Sequence, residues 1–163
     1  MPLVNVYATC PLHRIKYWAD RYNCRINLNT IIETMFTIEA IKAAHAKVQS
    51  GADFPRYVQE LIILGVKKYD TYVTDGHTDY YGDKDFKIST MPVYDKLTIA
   101  AESNPATFKA DLKAHQQGNT DYPTFCSDCA RSGIEKWVMD MTKMTCSYYD
   151  TAGNEILVET VPH

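Results

Sequence analysis

The sequence repeats part of itself at an interval of 68 residues, and no other feature constrains the fold as strongly. When residues 53–82 are aligned without a gap on residues 121–150 (121 − 53 = 68), seven positions are identical. The identical pairs are Asp53/Asp121, Pro55/Pro123, Gly65/Gly133, Lys68/Lys136, Thr74/Thr142, Tyr80/Tyr148 and Tyr81/Tyr149. Average residue frequencies predict about two identities over this length. Because one of them is a proline and one a glycine, each at the end of a predicted helix, the pattern indicates two copies of one supersecondary unit.

Each copy has the pattern of two helices followed by a hairpin. In the first copy a proline one residue after Phe54 fits the first turn of a helix, and Gly65 fits its end. The dipeptide Asp75-Gly76 is typical of a two-residue type I′ turn, which would place Tyr72 opposite Asp79. We therefore predict an α+β fold with pseudo-repeated units at about 36–88 and 104–161. Their hairpins form a mainly antiparallel sheet with the helices packed on one face.

A second hairpin and one further strand are also predicted. A turn at Lys143-Met144 would set Met139 opposite Tyr148 and place both side chains on the buried face. A short strand is also predicted at residues 97–100, from their β-branched and apolar character.

Residues 1–34 differ from the rest of the chain. They contain four basic and two acidic side chains, a net charge of +2, so the remainder carries −3 − 2 = −5. The first well-formed helix start is Thr37, which is a favourable N-cap, and Gly51 is the expected end of that helix. We expect one α+β domain at residues 35–163. Residues 1–34 are then an N-terminal appendage, disordered or translated from a mis-assigned start.

Composition argues against several classes of partner. A net charge of −3 disfavours general binding to nucleic acid phosphates. The longest aliphatic run, Leu61–Leu64, is far shorter than the roughly 20 residues that span a bilayer, so no membrane contact is expected. The first residues lack the pattern of a secretory signal, and five cysteines without framework spacing favour reduced thiols. The sequence therefore predicts a cytoplasmic protein.

Cys126 and Cys129 form a C-x-x-C motif, for which redox or metal chemistry is the obvious hypothesis. A structural zinc site needs four ligands, and the chain has no second C-x-x-C. The repeat aligns these cysteines with Val58 and Leu61, which are core positions of an amphipathic helix. Free cysteine packs in such positions as a small hydrophobe. Packing is therefore the favoured interpretation, with a redox pair or weak metal site as the alternative, and no cofactor or metal is expected.

The first hairpin carries the other candidate residues. His77 and Asp79 are two apart on a strand and share a face, so the carboxylate can orient the imidazole as a general base or metal ligand. Asp75 lies nearby in the turn. Tyr72 and Tyr81 add aromatic surface to the same face, which favours contact with a ligand or a partner. The remaining alternative is a polar face that only meets solvent.

Several segments of the chain carry a family resemblance. They are residues 50–55 (SGADFP), 71–80 (TYVTDGHTDY), 113–118 (KAHQQG) and 121–137. From about Met35 onward the chain resembles a family of small uncharacterised bacterial proteins, many encoded in prophages and some labelled "phage envelope protein". The resemblance implies an α+β fold without an established activity, so it supplies no catalytic residues. Residues 1–34 lie outside the family pattern.

These observations leave three functional hypotheses. The first is a small cytoplasmic binding or accessory protein of prophage origin, which recognises a protein or a small molecule through an exposed sheet face. The absence of P-loop, G-x-S-x-G and H-E-x-x-H motifs favours this over an enzyme. The second is a small-molecule or metal-dependent enzyme centred on His77 and Asp79. The third is a phage structural protein. The sequence does not define an oligomeric state.

Overall fold

The computed structural model describes residues 36–48 and 53–162. Four helices lie in these residues: α1 (Ile38–His45), α2 (Phe54–Leu64), α3 (Pro105–Gln116) and α4 (Tyr122–Arg131). They alternate with two groups of three strands: β1 (Lys68–Tyr72), β2 (Thr78–Tyr81), β3 (Lys87–Ser89), β4 (Ile134–Asp140), β5 (Thr145–Asp150) and β6 (Glu155–Thr160). The strands form one antiparallel sheet in the order β3-β2-β1-β4-β5-β6. The predicted α+β class is confirmed.

Local hydrogen bonds and a glycine explain where several of the helices begin and end. The Thr37 hydroxyl accepts a hydrogen bond from the Ala40 amide at 3.2 Å, and the Asn104 side chain accepts one from Thr107 at 3.1 Å. These bonds satisfy amides that the first helical turn leaves unpaired. The α2 helix ends at Gly65, whose φ of 96° is costly for residues that carry a Cβ atom.

The core lies between the helices and one face of the sheet. Leu61 of α2, Phe108 of α3 and Met139 of β4 are fully buried there. The Trp137 ring contacts the rings of Phe125 and Tyr148, with centroids 5.7 Å and 6.5 Å away. Burial of each large apolar side chain stabilises the fold by about 1.5–3 kcal/mol, so this layer is its main source of stability.

In both hairpins the cross-strand pairing is shifted by two residues from the predicted register. Tyr72 is followed by a four-residue loop, residues 73–76, and Asp79 lies opposite Asp70 instead of Tyr72. The second hairpin has the same correction, because Met139 pairs with Cys146 and Tyr148 pairs with Trp137. A shift of two residues preserves which face each side chain occupies. The predicted inner and outer faces are therefore unchanged, while the cross-strand partners are new.

The two halves meet with a symmetrical register. β1 and β4 pair antiparallel with Asp70 opposite Val138, two positions separated by 138 − 70 = 68 residues. Each loop also spans four residues, 73–76 and 141–144, at the same interval. This is the register that a two-fold axis between Asp70 and Val138 produces. Descent of the two halves from one duplicated unit stays a prediction.

Two other expectations have different outcomes. Residues 97–100 do not form a strand; they run in irregular conformation, with the Leu97 amide bonded to the Thr74 carbonyl at 2.7 Å. The first helix ends at His45 with Ala46 as its C-cap, so the predicted end at Gly51 is wrong. The proposed appendage at residues 1–34 lies outside the described residues.

Candidate functional site

The candidate site is the sheet face opposite the core, called here the outer face. Its side chains follow from the alternation of each strand, and cross-strand pairing places them in rows. They are Lys68, Asp70 and Tyr72 of β1, His77, Asp79 and Tyr81 of the β2 segment, Lys87 and Ser89 of β3, Lys136 and Val138 of β4, and Ser147 and Tyr149 of β5. In the described part of the chain, all four helices contribute their buried side chains to the opposite face.

Lysine ammonium groups lie over tyrosine rings on this face. The Nζ of Lys68 is 4.7 Å from the centroid of Tyr81, and the Nζ of Lys136 is 5.9 Å from that of Tyr149. These are equivalent pairs at the 68-residue interval (136 − 68 = 149 − 81 = 68). Lys136 also lies 5.5 Å from the ring of Tyr72. Such contacts contribute about 0.5–1 kcal/mol at exposed sites, and here they fix long side chains in place.

Two buried aspartates neutralise the lysines. Asp70 and Asp79 lie directly opposite each other and are only 4% and 6% exposed. The Nζ atoms of Lys68 and Lys136 are 3.0 Å and 3.3 Å from the Asp70 carboxylate. The Lys68 contact is an ion pair without hydrogen-bond geometry, because Asp70 Oδ1 accepts no hydrogen bond from a described group. Two like charges directly opposite each other are destabilising, and the neighbouring lysines offset this repulsion.

Asp79 is held in its charged form. Lys87 Nζ lies 2.8 Å from its carboxylate, and the Ser89 hydroxyl donates a hydrogen bond of 2.5 Å. Burial alone raises the pKa of Asp79, but the hydrogen bonds from Lys87 and Ser89 and the charge of Lys87 outweigh it, so the pKa is lowered. The third strand therefore completes this part of the face.

His77 forms a pair with Asp75, not with Asp79. Its Nδ1 hydrogen-bonds to Asp75 Oδ1, and the same oxygen accepts the His77 backbone amide at 3.1 Å. The His77 ring stacks on Tyr72, with centroids 4.4 Å apart and an interplanar angle of 6°. Burial raises the pKa of Asp75, and the hydrogen bonds from His77 lower it further than burial raises it. An imidazole bonded at Nδ1 presents Nε2 to its surroundings, which is the arrangement of an oriented base.

A neighbouring loop holds the turn that carries Asp75. The Val93 amide bonds to the Asp75 carbonyl at 2.8 Å, and the Tyr94 hydroxyl bonds to the Val73 carbonyl at 2.9 Å. Gly76 has a φ of 73°, and a Cβ atom there would come within 2.7 Å of the Tyr94 ring. Glycine is required at this position both by conformation and by space.

The structure brings the five predicted residues of the hairpin together on one face or its rim, namely Tyr72, Asp75, His77, Asp79 and Tyr81. Sequence reasoning missed Lys87, Ser89, Lys136 and Tyr149 as members of the same cluster. The repeat contained part of the missing signal, because Lys136 and Tyr149 are the copies of Lys68 and Tyr81. Lys87 and Ser89 enter only through strand β3.

Cys126 and Cys129 lie away from the outer face. Both thiols are fully buried on α4, and burial raises the pKa of each. A reactive cysteine needs an accessible thiolate, so neither thiol has the surroundings of a redox site. Within residues 36–48 and 53–162, no group of three or more His, Cys, Asp or Glu side chains could hold a metal ion.

The described helices are also too short or too polar to cross a membrane.

Comparison with known proteins places the chain in a family. The sequence model of the family described as "Protein of unknown function (DUF1398)" matches residues 42–160. The chain belongs to this family. A relative is the "Uncharacterized protein YcgX" of Escherichia coli (strain K12), which is 23% identical over 115 residues, covering 71% of this chain and 86% of the relative. The residues matched by the family model include the whole sheet, and therefore every residue of the outer face.

Proposed function

We propose that this DUF1398 protein is a binding protein whose partner contacts the outer face of its sheet. The observation that carries the proposal is the repeated pair of a lysine over a tyrosine, Lys68–Tyr81 and Lys136–Tyr149, on the face opposite the described helices. Tyrosine rings supply large contact area at low cost in side-chain entropy, and they are enriched at protein interfaces. Rings that lysines already hold in place lose little further freedom on binding.

The partner is expected to be a protein whose surface contacts the aromatic rings and the apolar stems of the lysines. The charges of Lys68, Lys87 and Lys136 are largely compensated by Asp70 and Asp79, so the face offers little net charge to a phosphate-rich ligand. This agrees with the net charge of −3 for the whole chain. A cytoplasmic location and prophage origin complete the proposal. The location is supported by the cysteine pattern, and the origin by the sequence resemblance described above.

Affinity capture from lysate of the source cells, followed by quantitative mass spectrometry, tests the proposal. The baits are the wild-type protein, the double variant Tyr72→Ala/Tyr81→Ala, and Ile63→Ala as a control. Ile63 is 81% exposed on α2, so its replacement removes apolar area on the helical side of the fold. We expect a partner that wild type and Ile63→Ala retain and the double tyrosine variant loses. Equal recovery by all three baits would contradict the proposal.

The hydrogen bond between His77 and Asp75 supports a second candidate, a small-molecule enzyme centred on His77, with Asp75 in place of the predicted Asp79 as the carboxylate that orients the ring. An imidazole oriented by a carboxylate is a component of many general-base sites. The measurement is a thermal-shift screen with divalent metals and metabolites, because a ligand that binds only the folded state raises its melting temperature. The enzyme hypothesis expects a shift that His77→Ala and Asp75→Asn abolish. A shift that survives both substitutions would count against it.

A phage structural role is the remaining alternative, and it rests on the label attached to the resembling family.

A further inference from the structure

The sheet has one edge long enough to accept another strand. β3, at one edge, has three residues, and its Lys87 is already bonded to Asp79. β6, at the other edge, has six residues and pairs with β5 on one side. In the described part of the chain, no strand pairs with its other side. An edge of this kind carries backbone donors and acceptors that match an incoming extended segment.

The backbone groups that face outward can be assigned. The Val161 amide donates to the Met144 carbonyl at 2.8 Å, which makes Val161 and its alternate neighbours the residues that bond to β5. In an antiparallel pair the intervening residues direct their N–H and C=O groups away from the partner strand. Val158 and Thr160 therefore present their backbone groups to the open edge. The Val158 side chain is 44% exposed beside them.

A groove runs along this edge between β6 and α3. Its volume is about 420 Å³, and it is lined by Lys109, Leu112, Lys113 and Gln116 of α3 and by Leu157 and Glu159 of β6. Gln116 donates a hydrogen bond of 2.9 Å to Glu159, which fixes the end of the groove. The half-buried Leu157 provides an apolar floor.

The charge of the groove favours one class of occupant. Lys109 and Lys113 lie one helical turn apart on the same side of α3. Neither forms an ion pair with another described residue, whereas Glu159, the acidic residue of the lining, is bonded to Gln116. A strand added to β6 would direct alternate side chains toward α3 and the others alongside Val158.

We propose that the groove between α3 and β6 binds an extended acidic peptide segment of a partner protein, which adds to β6 as a seventh strand. Acidic side chains at alternate positions contact Lys109 and Lys113. The intervening side chains are apolar and contact Val158. Main-chain hydrogen bonds to Val158 and Thr160 supply affinity, and the lysines select for acidic sequences. This surface lies at the sheet edge, apart from Tyr72 and Tyr81, so the inference does not depend on the function proposed for the outer face.

Fluorescence anisotropy with two labelled octapeptides, one alternating glutamate and valine and one alternating lysine and valine, tests the proposal on the full chain. We expect saturable binding of the glutamate peptide that weakens with added salt, and no comparable binding of the lysine peptide. Lys109→Glu/Lys113→Glu should weaken the glutamate peptide at least about fivefold and strengthen the lysine peptide. Lys42→Glu/Lys96→Glu changes the total charge equally on exposed residues outside the groove, and should leave binding unchanged.

Val158→Pro tests the backbone contribution. It removes an amide that faces the open edge and leaves the bonds between β5 and β6 in place. It should weaken binding of the glutamate peptide while far-UV circular dichroism shows a folded protein. If Val158→Pro does not fold, the charge reversal decides alone. Absent binding, equal binding of both peptides, or unchanged selectivity after charge reversal would overturn the proposal. So would a wild-type dimer that Val158→Pro dissociates, since the occupant would then be a second copy of the chain.

Discussion

Replacing Lys136 by methionine tests whether the buried Asp70 carboxylate depends on its lysines. Methionine keeps most of the apolar stem, so the main loss is the ammonium group 3.3 Å from Asp70. Removal of one partner from a fully buried ion pair costs about 3–5 kcal/mol, whereas an exposed pair contributes about 0.2–1 kcal/mol. The Asp70 side chain is 5% exposed and that of Lys136 is 27% exposed, and Lys68 still contacts the carboxylate. We therefore expect a loss of about 1–2 kcal/mol in the free energy of unfolding.

A double-mutant cycle with Asp70→Val isolates the interaction. Valine is a natural choice because Val138 occupies the equivalent position of the second half, directly opposite. Once the carboxylate is absent, Lys136→Met should lower the free energy of unfolding much less, which gives a coupling energy of about 1 kcal/mol between the two side chains. Urea denaturation at pH 7, followed by far-UV circular dichroism, measures the free energy of unfolding of each variant in the cycle. Lys143→Met is the control, since the Lys143–Asp140 pair is 3.5 Å long and Lys143 is 75% exposed. Additive effects, or equal effects of Lys136→Met and Lys143→Met, would refute the account of the outer face.

Three further predictions concern pH, thiols and the loop. Because the folded pKa of Asp79 is lowered, its stabilisation is complete above the unfolded value of about 4 and is lost as the pH falls through the folded value. Asp79→Asn should reduce the loss of stability in acid denaturation, unlike Asp83→Asn, whose side chain is 76% exposed; identical acid transitions would contradict this. In a Cys10→Ser/Cys24→Ser background, Cys126, Cys129 and Cys146 should resist a thiol reagent at pH 8 until the protein is denatured, because burial raises their pKa values, that of Cys146 to about 12. Rapid labelling of the native protein would restore the redox hypothesis for the C-x-x-C motif. Gly76→Ala should lower the free energy of unfolding by about 1–3 kcal/mol more than Gly118→Ala does, since both glycines have positive φ but only Gly76 lies against the Tyr94 ring. Equal losses of stability in denaturant titrations would show that space at Gly76 is not limiting.

The faces of the sheet could be predicted from the sequence, but the register of its hairpins could not. Alternation along β1 and β2 assigned Tyr72, His77, Asp79 and Tyr81 to one side, and a two-residue error in pairing does not change that side. The turn type was wrong because Asp75-Gly76 is a strong local signal for a short turn, whereas contacts from residues 93–97 hold the backbone of residues 73–75 in a longer loop. These contacts are distant in sequence and have no local signature.

In the second hairpin, the missed signal was local. The Asp140 side chain accepts hydrogen bonds from the amides of Thr142 and Lys143 at 2.9 Å and 3.0 Å, which closes the loop from the residue that precedes it. Aspartate at the start of a turn commonly forms such bonds. Reading Asp140 in this way would have placed the loop at residues 141–144 and corrected the pairing of Met139 with Cys146.

Only some residues of the candidate site could be identified from the sequence, and the reason differs from that for the hairpins. Lys136 and Tyr149 could have been identified as site residues from the repeat, because they occupy the positions equivalent to Lys68 and Tyr81. The dependence of Asp79 on Lys87 and Ser89 requires knowledge of which strand lies beside β2. The partner of His77 also depends on the loop, since the longer turn brings the Asp75 carboxylate to Nδ1.

Site-specific photo-crosslinking in cells that express the chain tests most directly whether the outer face is a binding surface. The photoreactive residue p-benzoylphenylalanine would be introduced at position 81, at position 149 and, as a control on the helical side, at position 63. Positions 81 and 149 carry the two equivalent tyrosines that lysines cover, and position 63 is highly exposed on α2. The account predicts one discrete cross-linked product shared by positions 81 and 149 and absent at position 63. No product at positions 81 and 149, or the same products at position 63, would contradict it.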